Sequence, residues 1–459
     1  MKKLNYLLMF LVMTSVSSIA QKNYNTIKGI WQGTITTTAG SLAMIMKIKP
    51  TETSISVNLD VTAQMAKDVP STGGKFKNDS LVIEYSMMRA KYRGTMTSDS
   101  NLIVGVWEQA GVVFPLQLNR TQKVPEPVRH SQEPLKPYSY NEEEIVFVNA
   151  KAKVTLAGTF TSPKNKQNCT TVILISGSGP QSRNEELLGH KPFLILADHL
   201  TKNGIAVLRF DDRGVGQSSG DFSSATSYDF STDVEAAFAY LQTRKEVNKK
   251  SIGLIGHSEG GLIAPMLASR KKEIGFVVLL AGPGIKGSEL LALQGAALSN
   301  AAGVSAEKIE KNKLLNHKIY ELAIKKSLGA SDSILKLLKA EGLTESAAKA
   351  QLKSLQTPWF NYFLAADPSV YLSKLSCRVM AINGKKDLQV PFQENLDAIE
   401  VNLQKAGNKN YNVKAYADLN HLFQHCTTGL PGEYGSIDET MSLEVLNDVS
   451  DWILKEGQN

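Results

Sequence analysis

The chain has only three cysteines in 459 residues, Cys169, Cys377 and Cys426. So few, so widely spaced and odd in number, they exclude a disulfide framework and leave at least one thiol unpaired. No Cys/His spacing of a metal site accompanies them. A Cys377–Cys426 bridge stays open beside the plainer reading of three partly buried thiols. Long apolar runs are also missing. The amino-terminal run, Leu7–Val16, is broken at Thr14 and Ser15 and falls well short of the roughly 20 residues a membrane span requires. The formal net charge is +7, but the surplus is spread out, densest over Lys308–Lys339. Without a compact basic patch and aromatic platforms, nucleic-acid binding is excluded. The charge reads as a solvated surface with mild attraction to anionic envelopes. Internal repeats and low-complexity tracts are absent.

The first twenty residues differ from the rest. Lys2 and Lys3 precede the apolar run, and Ser18-Ile19-Ala20 supplies the small residues a signal peptidase reads. This predicts a secretory signal peptide cut near Ala20, before Gln21. The protein is therefore expected outside the cytoplasm, periplasmic or extracellular, without stable membrane insertion. A membrane anchor is the alternative, disfavoured by the short run. No Cys follows the run to carry a lipid. The overall composition is ordinary for a globular chain and long enough for two domains with cores of their own.

Residues 26–121 read as an all-β domain, a small barrel or sandwich. Stretches such as Ile55-Ser56-Val57-Asn58-Leu59 and Leu81-Val82-Ile83-Glu84-Tyr85 alternate apolar and polar residues between turn-formers. The openings Gly29-Ile30-Trp31 and Gly105-Val106-Trp107 resemble those of lipocalin-like barrels, where the Trp plugs one end. No polar cluster here is suited to a reaction. Residues 122–140, with Pro125, Pro127, Pro134 and Pro137, predict an extended spacer. From 141 to 459 apolar β-rich runs alternate with amphipathic helical patterns, which predicts an α/β fold: a mostly parallel sheet with helices on both faces. The first two runs, Ile145–Val148 and Val154–Phe160, are close enough to form an antiparallel edge hairpin. About 288–375 reads helix after helix, an insertion over the carboxyl edge of the sheet and so a helical lid.

The strongest chemical signal is Ser251-Ile252-Gly253-Leu254-Ile255-Gly256-His257-Ser258-Glu259-Gly260-Gly261. A strand runs into Gly256-x-Ser258-x-Gly260 and a helix follows, the context of a nucleophile elbow. The tight turn lifts the Ser258 hydroxyl clear of the sheet, and the Glu259 amide with the helix N-terminus faces developing negative charge. The bland alternative is a Gly-rich strand-to-helix turn with no reaction. A serine needs a base, which in this arrangement comes last in the chain. His421 follows the last strand, with His425 further along as competitor. Asp387 leaves the preceding strand and is placed to accept from His421 Nδ1–H and orient the ring. Asp418, on the same strand end as the base, is the poorer candidate. The second oxyanion donor is expected from Ser176-Gly177-Ser178-Gly179-Pro180, at the Ser178 amide, with Gly179 as runner-up. Arg183 and His190, near the same edge, are either substrate contacts or solvated residues. Asp211-Asp212-Arg213 is expected to be structural, a tight loop pinned by ion pairs.

Together, Gly177-Ser178-Gly179-Pro180, Asp211-Asp212-Arg213-Gly214-Val215-Gly216, Gly256-His257-Ser258-Glu259-Gly260-Gly261, Gly384-Lys385-Lys386-Asp387 and Asn420-His421 resemble the α/β-hydrolase superfamily. The resemblance is to its exported bacterial esterases related to serine-aminopeptidase-like hydrolases. It spans Thr171–His421 and leaves out the β domain. Where many members carry His-Gly at the oxyanion loop, this chain has Ser176-Gly177. The resemblance implies hydrolysis of a small-molecule carboxylic ester, without a cofactor. Two alternatives remain. A peptidase or amidase of the same fold would need a carboxylate such as Glu310 or Glu321 to hold a substrate terminus. An envelope binding protein would have an inert hydrolase domain.

Overall fold

The computed structural model describes residues 24–455 except 38–39, 52, 62–65, 89, 110–111, 124–128 and 326. The segment expected to direct export, residues 1–20, lies outside the described residues, as do 124–128 of the expected spacer. The chain divides into two compact units. The first comprises Met1–Val128 and Leu187–Gly189, the second Arg129–Glu186 and His190–Asn459.

In the first unit the alternating segments form β1 (Gly29–Thr37), β2 (Gly40–Pro50), β3 (Ile55–Val61), β4 (Ala66–Pro70), β5 (Gly73–Lys77), β6 (Ser80–Tyr85), β7 (Ala90–Met96), β8 (Leu102–Gln109) and β9 (Val112–Thr121). They make one antiparallel sheet in the order β4-β3-β2-β1-β9-β8-β7-β6-β5. The sheet rolls up. Gly74 of β5, at the far end of the sheet order, lies against β3: a methyl there would come within 2.6 Å of the Ile55 carbonyl oxygen. Of barrel and sandwich, the chain forms the barrel. Period-two alternation turns one face of each strand inward, and Trp31, Trp107, Tyr85 and Tyr92 fill the interior with aliphatic neighbours. The Arg120 guanidinium lies 4.2 Å from the Trp31 ring and donates to the carbonyls of Lys28 and Ser100. One cation thus ties the first strand to the last.

The second unit carries β10 (Asn141–Asn149), β11 (Val154–Ser162), β12 (Cys169–Ile175), β13 (Ala206–Phe210), β14 (Val247–His257), β15 (Phe276–Leu280), β16 (Arg378–Gly384) and β17 (Tyr411–Tyr416). Their order is β10-β11-β13-β12-β14-β15-β16-β17. β10 and β11 pair antiparallel, and β11 is antiparallel to β13; all later pairings are parallel. This is the α/β-hydrolase fold. The central strands are apolar on both faces because helices cover both. α1 (Pro192–Lys202) and α11 (Leu443–Leu454) pack on one face; α2 (Ser227–Leu241), α3 (Gly260–Arg270) and α10 (Phe392–Lys405) pack on the other. Each buried Val, Ile or Leu contributes about 1.5–3 kcal/mol against exposure. Thr226 starts α2 with a reciprocal capping box to Asp229.

Between β15 and β16 the chain is helical throughout: α4 (Gly287–Ala301), α5 (Ala306–Lys325), α6 (Ala330–Ala340), α7 (Glu345–Leu355), α8 (Pro358–Ala365) and the single turn α9 (Ser369–Leu372). Thr344 and Thr357 cap α7 and α8. The insertion has a core of its own, built on Ile319, Ile334, Leu338, Leu352 and Leu364.

The expected spacer requires a correction over residues 129–140, which are a strap bound to the second unit. His130 stacks on His190 at 3.7 Å. The Gln132 side-chain oxygen accepts from the amides of Thr440 and Met441. Tyr140 donates to Asp198 at 3.0 Å. His130, Gln132 and Tyr140 find partners on that unit that composition does not reveal. The three thiols are free, so Cys377 and Cys426 are not bridged.

Candidate active site

The carboxyl ends of β12, β14, β16 and β17 bring the expected residues to one edge of the sheet. Ser258 follows β14 with φ +52°, a left-handed conformation unusual for a residue with a side chain. The flanking glycines are steric requirements. A methyl on Gly256 would lie 2.0 Å from the Gly260 carbonyl oxygen, and one on Gly260 would lie 2.1 Å from that of Ile175. Ser258 N–H donates to Leu280 O at 2.9 Å, anchoring the turn to β15. Glu259 then opens α3, whose N-terminus faces the same edge.

Asp387 leaves β16 on a turn in which Oδ1 accepts from the amides of Gln389 and Val390 at 2.8 and 2.9 Å. Its Oδ2 is 2.7 Å from His421 Nδ1, and the carboxylate is fully shielded from solvent. The ring nitrogen facing a carboxylate carries the proton, which leaves Nε2 with the lone pair. His421 sits in a tight loop after β17. The Asn420 side-chain oxygen accepts from Leu422 and Gln424 N–H, and a left-handed Phe423 turns the chain back. The competitors lie elsewhere. His425 is exposed and bonded to Glu439 at 2.8 Å, and Asp418 is exposed and pairs with Lys386.

The Ser176-Gly177-Ser178 loop lies against the elbow: a methyl on Gly177 would come within 3.1 Å of Ser258 Cβ. The loop is held from two sides. Asp212 accepts from the Ser176 hydroxyl at 3.0 Å and from Gln181 N–H at 2.9 Å. Gly177 N–H donates to Glu185 at 2.6 Å.

Arg183 and His190 are neither substrate-facing nor solvated. Arg183 grips Asp211 through Nε and Nη2 at 3.0 and 2.7 Å. Burial opposes the Asp211 charge, but Arg183 outweighs it and holds the carboxyl below its usual range. His190 is fully buried, with Nδ1 at Thr440 and Nε2 at the Tyr434 carbonyl. Arg213 makes the second ion pair of that loop, to Asp233 at 2.7 Å. The loop thus has ion pairs on both sides of Asp212.

Two carboxyls at the site had no sequence signal. Glu259 is buried. It accepts from Ser227 Oγ at 2.6 Å and from the indole N–H of Trp359, on α8, at 2.8 and 2.9 Å. Burial pushes it above the usual carboxylate range. The residue after the serine is thereby fastened to the helical insertion. Glu185 binds His257, the residue before the serine, at 2.9 Å. Both partners are far away in sequence, so neither pattern nor spacing marks them. Glu310 and Glu321 are exposed and lie beside Lys313 and Lys325. Among the described residues no cluster of His, Cys, Asp and Glu could hold a metal ion.

Residues 191–396 match the family model described as serine aminopeptidase, S33. Over 327 residues the chain is 25% identical to the esterase EstD of Thermotoga maritima, covering 70% of this chain and 69% of that one. Among solved structures it is similar to the esterase Pf2001 of Pyrococcus furiosus, at 18% identity and a TM-score of 0.44, covering 69% of this chain and 91% of that one. It is also similar to Est1E of Butyrivibrio proteoclasticus with ferulic acid bound, at 18% identity and a TM-score of 0.41, covering 69% and 100%.

Proposed function

We propose that this chain, a member of the α/β-hydrolase superfamily, hydrolyses carboxylic esters by acyl transfer, with Ser258 as nucleophile, His421 as base and Asp387 as the group that orients the base. The observation that carries this reading is the shielded 2.7 Å bond from His421 Nδ1 to Asp387, at the same sheet edge as a left-handed serine. The name of the Thermotoga relative points the same way.

Ser258 Oγ attacks the ester carbonyl while His421 Nε2 takes its proton. The negative charge passes to the carbonyl oxygen, which the amides of Ser178 and Glu259 receive at the α3 N-terminus. Collapse breaks the bond to the alkoxy group, which leaves as an alcohol with the proton from His421. Water then attacks the acyl-serine, giving its proton to His421. A second collapse frees the acid and returns the proton to Ser258. Asp387 keeps the Nδ1 proton in place and stabilises the imidazolium. The substrate is a small ester, no cofactor takes part, and the protein works outside the cytoplasm after removal of residues 1–20. The exposure of Glu310 and Glu321 weighs against their anchoring a peptide terminus.

Ser258→Ala is expected to lower p-nitrophenyl acetate turnover by roughly 10⁴-fold or more and to abolish labelling by a fluorophosphonate probe. Unchanged turnover overturns the reading. Faster cleavage of aminoacyl-naphthylamides than of esters by the wild type replaces it with the peptidase.

A further inference from the structure

His257 occupies the position before the nucleophile, and the hydrolytic reaction gives it no role. It is buried, and both of its ring nitrogens face oxygen acceptors: Nδ1 is 2.9 Å from Glu185 Oε1, and Nε2 is 3.0 Å from the backbone oxygen of His421. A neutral imidazole has one N–H and one lone pair, so it would turn a lone pair toward one of these oxygens. A proton held on Glu185 Oε1 would donate to Nδ1 while that oxygen still accepts from Gly177 N–H at 2.6 Å, so electrostatics chooses between the two forms of the pair. The charged form is a Glu185 carboxylate and a His257 imidazolium. Burial opposes that charge, but Glu185 outweighs it and the imidazole is pushed above its usual range.

The pair joins three loops. Glu185 holds the loop after β12 through Gly177. His257 ends β14 and immediately precedes Ser258. Its Nε2 holds the loop after β17 at the very residue expected to act as base. Glu185 Oε1 and Ser258 Cβ approach the same point, 3.2 and 3.1 Å from where a Gly177 methyl would sit. Glu185 itself takes a left-handed backbone, φ +51°, a conformation that persists only where the surroundings enforce it. The rings of His257 and His421 are 4.8 Å apart. The titratable groups around His257 are Glu185 from the β12 loop, Asp387 from the turn after β16 and His421 from the loop after β17.

We propose that Glu185 and His257 are positioning residues of the hydrolytic site. They form a buried carboxylate–imidazolium pair that sets the register of oxyanion loop, nucleophile elbow and base loop, and keep a fixed positive charge beside the base. This rests on the assignment of Ser258 and His421 above.

Glu185→Gln keeps the shape of the side chain and removes the charge that keeps both His257 nitrogens protonated. With p-nitrophenyl acetate, kcat is expected to fall on the order of 10²-fold with little change in KM, as for a small misplacement of reacting groups. Nitrogen NMR of the wild-type protein reports the ring directly and is read whether or not the variant folds. His257 is expected to keep its second proton to higher pH than a free imidazole. Unchanged kcat in Glu185→Gln overturns the proposal, as does a wild-type His257 that loses its second proton no later than a free imidazole. Failure of the underlying assignment looks different: Ser258→Ala would retain turnover, whatever the nitrogen signals of His257.

Discussion

The two units handle buried polarity in opposite ways. Inside the barrel the buried side chains are aromatic and aliphatic. The one buried carboxylate there among the described residues, Asp60, is neutralised by Lys47 at 2.6 Å. The hydrolase unit buries Glu185, Asp211, Arg213, Asp233, His257, Glu259, Asp387 and His421, and these lie around the loops that leave the carboxyl ends of its strands. The contrast follows from topology. An antiparallel barrel returns each strand by a short turn and fills its interior with side chains. A parallel sheet must send every strand end into a crossover, and those loops converge at one edge where backbone and side-chain polar groups gather. Chemistry collects where the sheet is open-ended, whereas the barrel interior is occupied by packing.

That contrast can be strained from either side. The largest effect is expected at the open edge. Asp387→Asn should cost roughly 10⁴-fold in kcat by permitting the wrong imidazole tautomer, with the melting temperature nearly unchanged; a parallel loss of stability would mean the group is there for packing. Next, Trp31→Ala should destabilise the barrel by about 3–5 kcal/mol in a urea titration while kcat/KM per folded molecule stays constant. A fall in kcat/KM would show that the barrel is not mere packing.

His190 comes third. Burial, and after it the adjacent His130, hold its imidazole down at about 4. Its folded value lies below its unfolded one, so the unfolded chain takes the proton first. The stability His190 contributes is present above about pH 6.5 and lost as pH falls toward 4, up to about 3 kcal/mol. The melting temperature is expected to drop from pH 7 to pH 4.5, and His190→Gln to drop less. The smallest effect belongs to Trp359→Phe, which removes the indole donor from the buried Glu259 carboxyl. It should cost about 1–3 kcal/mol, read as an earlier melting of the hydrolase unit. No change would mean that water replaces the indole.

Much of this was legible in the sequence where the constraint is local. Gly256 and Gly260 are demanded by contacts within a few residues or with the neighbouring strand, and every strand of the second unit has its apolar run. Chain order and strand ends suffice to place Asp387 and His421 beside each other, because a loop after a parallel strand has only one edge to occupy. What escaped depends on partners separated in the chain. Glu185 meets a ring 72 residues later and Glu259 an indole 100 residues later. Arg183 and His190 looked exposed because their loop is polar, yet Asp211, Thr440 and Tyr434 enclose them. The strap at 129–140 was misread for the same reason, its proline content masking side chains that dock on residues some 300 positions away, such as Thr440 and Met441.

The bond from Trp359 to Glu259 makes the helical insertion observable by light. Of the four tryptophans in the chain, Trp31 and Trp107 lie in the barrel and Trp452 sits under Arg378 near the carboxyl end. Trp359 alone belongs to the insertion, with its indole nitrogen on a carboxyl one residue from the serine. If α8 swings away as ester enters, that indole exchanges a buried acceptor for water and its emission shifts to the red. In a protein where the other three are changed to Phe, a stopped-flow fluorescence trace would then time the opening of the site within a single turnover.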